Sequence, residues 1–178
     1  MSDAKQDLLE AVLDSWNRNN SILVNLLRRI PPEGLDARLM MAGSPSVARM
    51  FTHIHFVRLV FVSEDAPDSA VDLPSEEWRE EQDPERIVEW LNMSARVVRD
   101  AVRERIESGR DMDVHYDHPI LFLQHMIWHE GYHHGQIKLA LKARGLPIGD
   151  EEAGPVTWGV WMRKSSVSGQ STEVAPIG

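Results

Sequence analysis

The sequence contains no cysteine in its 178 residues. That excludes a disulfide framework, a thiolate zinc site and a cysteine nucleophile, and it accords with a reducing, cytoplasmic compartment. No secretory signal is expected, because Met1-Ser2-Asp3-Ala4-Lys5-Gln6-Asp7 does not lead from a basic start into an apolar stretch. Long apolar runs are missing too. The most apolar stretch, 54–62, carries His55 and Arg58 and is far too short to cross a bilayer, so no membrane partner is expected. Aromatic residues are scarce at 7%, and Asp plus Glu outnumber Lys plus Arg by 28 to 19. Without a basic, aromatic-interleaved surface, nucleic acid is not expected as a direct partner.

The net charge of −9 is localised. Ten acids and a single base, Arg79, fall within 64–85, which accounts for the whole excess. A run of this kind reads as a solvated acidic connector. Apolar residues make up 42%, enough for one core at this length. The chain divides into a main domain over 1–146 and an extension over 147–178. The extension holds Trp158 and Trp161 and then a Ser/Gly-rich end, 165–178, whose composition predicts mobility.

Helical periodicity dominates, and the fold class is all-α. Leu8, Leu9, Val12, Leu13, Trp16, Leu23, Leu26, Leu27 and Ile30 recur at three- and four-residue steps, with Asp3 as a candidate cap and Pro31-Pro32 as the stop. Ser44-Pro45 reads as cap plus first-turn proline for a second helix reaching about Ser63. Asp83-Pro84 repeats that signature for a third helix ending near Ser108-Gly109. A fourth opens at 117–119 and stops at Gly145. A helix of about 18 residues is roughly 27 Å long. The linker over 64–83 spans that length, so helices two and three can run parallel, whereas the short 109–117 loop makes helices three and four antiparallel.

Five of the eight histidines, His118, His125, His129, His133 and His134, crowd the start and middle of helix four. With His125 at the origin, His129 lies at about 40°, His133 at about 80° and Gln136 at about 20° round the helix. Leu121, Trp128 and Leu139 flank this stripe, which predicts that the histidines line the middle of the buried face. Imidazoles in an apolar core need partners for their nitrogens, and a divalent cation satisfies several at once. A hydrogen-bonded core pair explains one HxxxH spacing; an HxxxHxxxH run favours metal. His53 on helix two is the candidate third ligand, with Gln136 and His125 orienting the ligand rings. His55 points elsewhere, and His115 and His118 read as surface residues. Zinc or nickel suits imidazole ligands.

Two stretches carry a family resemblance. Ser46-Val47-Ala48-Arg49-Met50-Phe51-Thr52-His53-Ile54 resembles the second-helix motif of the DinB/YfiT-like metalloenzymes. His125-Met126-Ile127-Trp128-His129-Glu130-Gly131-Tyr132-His133-His134-Gly135-Gln136 resembles that family's fourth-helix signature, H-x-x-x-H-x-x-x-H-R-G-Q. The resemblance covers about residues 5–146. It implies a four-helix bundle in up-down-down-up order and a nickel or zinc ion held by three histidines that match His53, His129 and His133. His134 departs from it, standing where the family usually has arginine. Similar members include transferases and isomerases that use low-molecular-weight thiols, so a small-molecule substrate and such a thiol are the implied partners.

A trio of neutral imidazoles leaves a bound ion at +2, which makes a nearby thiol or water more acidic. With no cysteine in the chain, the thiol must come from outside, and the reading is transfer of a small thiol to an electrophile. Metal-assisted hydrolysis is the competing enzymatic reading. His129-Glu130-x-x-His133 also matches H-E-x-x-H, with Glu130 as the candidate catalytic base, although position 139 is Leu and no strand is visible to align a peptide. A metal-stabilised binding module without catalysis is the third reading. Trp78, Trp90, Trp158 and Trp161, together with the family's habit, suggest a homodimer.

Overall fold

The computed structural model describes residues 3–162; the polar end predicted over 165–178 lies outside the described residues. Four long helices carry the fold: α1 (Asp3–Leu27), α2 (Val47–Asp65), α3 (Pro84–Ser108) and α4 (Pro119–Ala143). Two short ones, α5 (Asp150–Ala153) and α6 (Trp158–Trp161), follow. No strand occurs among the described residues, and the only strand-like pairing there is the isolated bridge between Arg38 and Ser46.

Side-chain pairings fix the directions. Between α1 and α3 the partners run Glu10 with Arg103, Trp16 with Ala95 and Asn20 with Asn92, so these helices are antiparallel. Between α2 and α3 they run His55 with Trp90 and Arg58 with Ser94, so these are parallel. Between α2 and α4 they run His53 with His133, Arg58 with Glu130 and Phe61 with His125, again antiparallel. The order is therefore up-down-down-up, as the family resemblance implies and the long second connection permits.

Helix ends follow local chemistry. Asp83 caps α3 through its side chain, which accepts from Glu85 N, and Pro84 occupies the first turn. Gly109 and Gly145 take the left-handed conformation (φ 70° and 81°) that ends α3 and α4. His118 caps α4, its Nδ1 accepting from Ile120 N. Two sequence assignments need correction. The cap of α2 is Ser46 rather than Ser44: its Oγ accepts from Arg49 N at 3.2 Å, while the backbone at 46 is still extended and tied to Arg38. Asp3 lies within the first turn of α1, where its charge favours the helix dipole, rather than outside it as a cap.

The core has two apolar halves. One gathers Leu9, Leu13, Trp16, Val62, Val98, Val102, Phe122 and Met126; the other gathers Leu23, Leu27, Phe51, Ile54, Leu91, Ile137 and Leu141. On each helix the switch from one half to the other falls at polar residues: Asn19 and Asn20 on α1, Arg58 on α2, Ser94 on α3 and Glu130 on α4. The bundle thus contains a polar layer at mid-height. The chain after α4 folds back onto α1, where Asn25 Nδ2 donates to Val156 O and Arg18 Nη1 to Val160 O.

The histidines do not line the middle of the buried face of α4. That face is formed by Phe122, Leu123, Met126, Glu130, Ile137, Ala140 and Leu141. His133 is buried at its edge, His129 is half-buried and His125 exposed. Leu121, Trp128 and Leu139, which flank the stripe, face out. Helix α4 carries large apolar residues on an outward side as well as on the inward one, so periodicity could not choose between them.

Candidate metal centre

His53, His129 and His133 come together between α2 and α4. Their Nε2 atoms converge: His53 to His129 at 3.2 Å and His133 to His129 at 3.1 Å. One ligand atom from each lies within 4.8 Å of the others. The HxxxH spacing puts His129 and His133 on one face of α4 a turn apart. His53 reaches them because α2 lies antiparallel against α4.

This cluster is poorly satisfied as it stands. A ring nitrogen carries either one proton or one lone pair. Nε2 of His129 therefore makes one full-strength hydrogen bond, yet it has two nitrogens at hydrogen-bond distance. Its Nδ1 is also buried, with no hydrogen-bond partner among the described residues. Protonation does not relieve the clash. Burial, then the neighbouring His133, His53 and His125, push His129 down to about 3. Burial and His53 push His133 down to about 4. His53 is lowered by burial, opposed by Glu77. Three uncharged rings whose Nε2 atoms converge form, in the Nδ1–H tautomer, the donor set that a divalent cation takes. The residues present fit a metal ion, and a buried three-histidine cluster compatible with metal binding is what the fold builds.

Neighbours fix the rings. Glu77 Oε1 lies 2.8 Å from His53 Nδ1, and Trp78 stacks on the same ring, with centroids 3.9 Å apart and planes 4° from parallel. A carboxylate on the far nitrogen of a ligand histidine sets its tautomer and orientation. Gln136 favours the charged form of His133 against burial. Tyr132 meets His133 edge-on at 5.3 Å.

The other sequence candidates stand apart from the converging nitrogens. His125 is exposed; its Nδ1 pairs with the Tyr116 hydroxyl at 2.6 Å, and its ring meets that of His129 only edge-on at 6.5 Å. Burial, then Asp65 and Glu64, raise the Tyr116 hydroxyl above the usual tyrosine range, so it stays protonated. His115 pairs with buried Asp65 at 2.8 Å and is partly exposed, while His118 serves as the exposed cap of α4. His55 is buried away from the cluster, stacked on Trp90. His134 is half-buried, and burial and Lys138 lower its pKa.

Glu130 is where the structure corrects the sequence reading. It is 1% exposed and turned into the polar layer rather than toward the histidines. Arg58, fully buried, donates from Nε to Oε1 at 2.6 Å and from Nη2 to Oε2 at 2.8 Å. Asn19 Nδ2 donates to Oε2 at 2.5 Å. The remaining donors of Arg58 reach Asn20 Oδ1, Leu91 O and Ser94 Oγ, and its guanidinium lies 4.9 Å over the Trp16 ring. A carboxylate held this way is a structural anion, poorly placed to take a proton from a substrate.

The sequence reading missed Arg58, Asn19, Asn20, Ser94, Glu77 and Trp78. A signal existed for Arg58: a lone arginine inside the most apolar run of the chain calls for a buried acid partner. Glu77 and Trp78 had none, because they sit in an aperiodic acidic stretch.

The arrangement places the protein in a class, all-helical bundles that hold a histidine cluster between two antiparallel helices. Within that class the chain belongs to the DinB family, whose model matches residues 1–150. No curated protein and no solved structure matches the chain.

Proposed function

We propose that this DinB-family protein is a metal-dependent enzyme that transfers a small thiol to an electrophilic substrate, using a zinc or nickel ion held by His53, His129 and His133. The observation that carries the reading is the convergence of the Nε2 atoms of three uncharged imidazoles from two helices. An ion in that position supplies Lewis acidity, which favours the thiolate form of a thiol near neutral pH.

The chain's own residues define the rest. Three histidines from two helices leave room for an exogenous ligand, as catalytic sites do, whereas a structural site is closed by four. Glu77 fixes the His53 ring, and Gln136 acts on His133. Trp78 and Tyr132 add aromatic surface against the histidine rings. No cysteine competes for the metal. A free thiol cosubstrate requires a reducing compartment, which places the reaction in the cytoplasm. No helix among the described residues is long and apolar enough to cross a membrane. Glu130 has no role as a base in this reading.

The test is an activity screen of the zinc and nickel forms with electrophiles, run with and without glutathione, bacillithiol and mycothiol. Thiol-dependent turnover that disappears in His129→Ala supports transfer. Turnover of a hydrolysable ester without any thiol contradicts it, and silence in every condition favours a metal-stabilised binding module.

A further inference from the structure

The acidic segment between α2 and α3 is pinned to α2 near its far end. Thr52 Oγ1 donates to Arg79 O at 2.8 Å, and Arg49 Nε lies 2.8 Å from Glu80 Oε2. Between this segment and the two helices lies a cleft of about 260 Å³. Buried Leu59 and His55 line it from α2, half-buried Trp90 and Met93 from α3, and Leu73 from the segment itself. The cleft is separate from the histidine cluster, because His53 and His55 lie about 200° apart round α2.

His55 is the polar group that the cleft leaves incomplete. It is 5% exposed, and its Nδ1 is buried with no hydrogen-bond partner among the described residues. The Trp90 backbone favours the charged ring, but it does not meet Nδ1 in hydrogen-bonding geometry. Thr52, which also lines the cleft, has one hydroxyl proton and directs it to main-chain oxygens, Arg49 O at 3.0 Å and Arg79 O at 2.8 Å. A buried polar nitrogen left unpaired costs free energy. A small polar group entering the cleft would relieve that cost.

We propose that this cleft binds a small uncharged molecule with an apolar body and one hydroxyl, the hydroxyl pairing with His55 Nδ1 and the body packing against Leu59, Trp90 and Met93. A hydroxyl serves either tautomer of the ring, since it donates to a lone pair or accepts from an N–H. Charge is disfavoured in both signs. Asp72 and Glu76 line the cleft and repel an anion. The place of a cation on the Trp90 face is already held by Arg79, whose guanidinium lies 5.2 Å from the ring centroid. The volume falls just below the roughly 300–1,000 Å³ of common ligand sites, which limits the occupant to a single ring or a short branched chain.

This inference does not depend on the metal reading, and its test uses no metal. p-Cresol and toluene, which differ by one hydroxyl, are the probes, added to the full chain. The ¹³C-labelled ε-methyl of Met93, assigned with Met93→Leu, reports on the cleft. Met112 and Met126, buried elsewhere, serve as internal controls. p-Cresol should shift the Met93 methyl saturably and leave both controls unmoved. It should bind about 10-fold more tightly than toluene, because toluene leaves the buried nitrogen unpaired. Ligand-observed NMR compares the variants. His55→Phe keeps a ring against Trp90 but removes the nitrogen, and should erase the preference for p-cresol. Met93→Trp fills the cleft from its wall and should abolish binding of both probes, with an unchanged helical circular dichroism spectrum. A Met93 methyl indifferent to p-cresol overturns the proposal. So do equal affinities for the two probes in wild type, or a preference that survives His55→Phe. Should His55→Phe fail to fold, Met93→Trp decides: p-cresol binding that persists in it overturns the proposal.

Discussion

Two polar clusters sit side by side between α2 and α4, about one helical turn apart, and they are built in opposite ways. Arg58 and Glu130 match donor to acceptor, with Asn19, Asn20, Ser94 and the Leu91 carbonyl taking up further bonding capacity. His53, His129 and His133 present like to like: three imidazole Nε2 atoms converge on one another. The first cluster is finished by the chain itself. The second is compatible with completion by a metal ion. Burial of polar groups is costly in both places, and the contrast separates a structural polar layer from a binding site without appeal to sequence motifs.

The largest expected effect lies in the finished cluster. Glu130→Ala strands the Arg58 guanidinium in a dry interior, a loss of about 3–5 kcal/mol for a broken buried pair. Urea unfolding of the apo protein reads this directly. The double variant Arg58→Met with Glu130→Leu should recover most of the loss, since a buried pair replaced by apolar groups of similar volume is often near neutral. A Glu130→Ala protein as stable as wild type would show that the pair is not desolvated as described.

Next comes the unfinished cluster. His129→Ala removes the nitrogen shared by both short contacts. It should weaken zinc binding beyond the roughly 10–100-fold typical of losing an orienting group, while leaving apo stability close to wild type. Glu77→Gln tests the orienting group itself, with an expected loss in zinc affinity of about 10-fold and restoration by Glu77→Asp. Competition titration with a chromophoric chelator measures both.

Acid should expose the histidines as a stability liability in the apo protein. His129, His133 and His55 are neutral in the fold down to about 3, 4 and 4, against an ordinary value near 6.5. The unfolded chain therefore binds more protons between those values and 6.5, and stability falls as pH drops through that window. Above pH 6.5 the contribution is flat. Apo unfolding midpoints across pH 4–8 test the sign; a protein that grows more stable on acidification from pH 6.5 contradicts it. The smallest effect expected is at the cap of α2, where Ser46→Ala should cost about 1 kcal/mol, with Ser44→Ala near zero.

How much could be read from the sequence follows the same divide. The four helices and their stops at Gly109 and Gly145 were legible, because prolines and helix-ending glycines act locally; the up-down-down-up order came from the family resemblance, which the connection lengths allow. So were His53, His129 and His133, because i,i+4 spacing fixes a face whatever the fold. Glu130 was misread, because the H-E-x-x-H spacing says where the side chain starts but not which neighbour it meets. Its partner Arg58 lies 72 residues away. Glu77 and Trp78 were illegible for a related reason: a solvated acidic linker and one that folds over a histidine look alike in sequence. The inward side of α4 was hidden because the helix is apolar on both sides.

If the three converging histidines are a metal site, metal content is the most direct measurement of it. Protein purified without an affinity tag and then titrated with zinc and with nickel should bind one ion per chain, and His129→Ala should bind none under the same conditions. A wild-type protein that is isolated metal-free and refuses both ions, or a His129→Ala protein that binds as wild type does, would contradict the account.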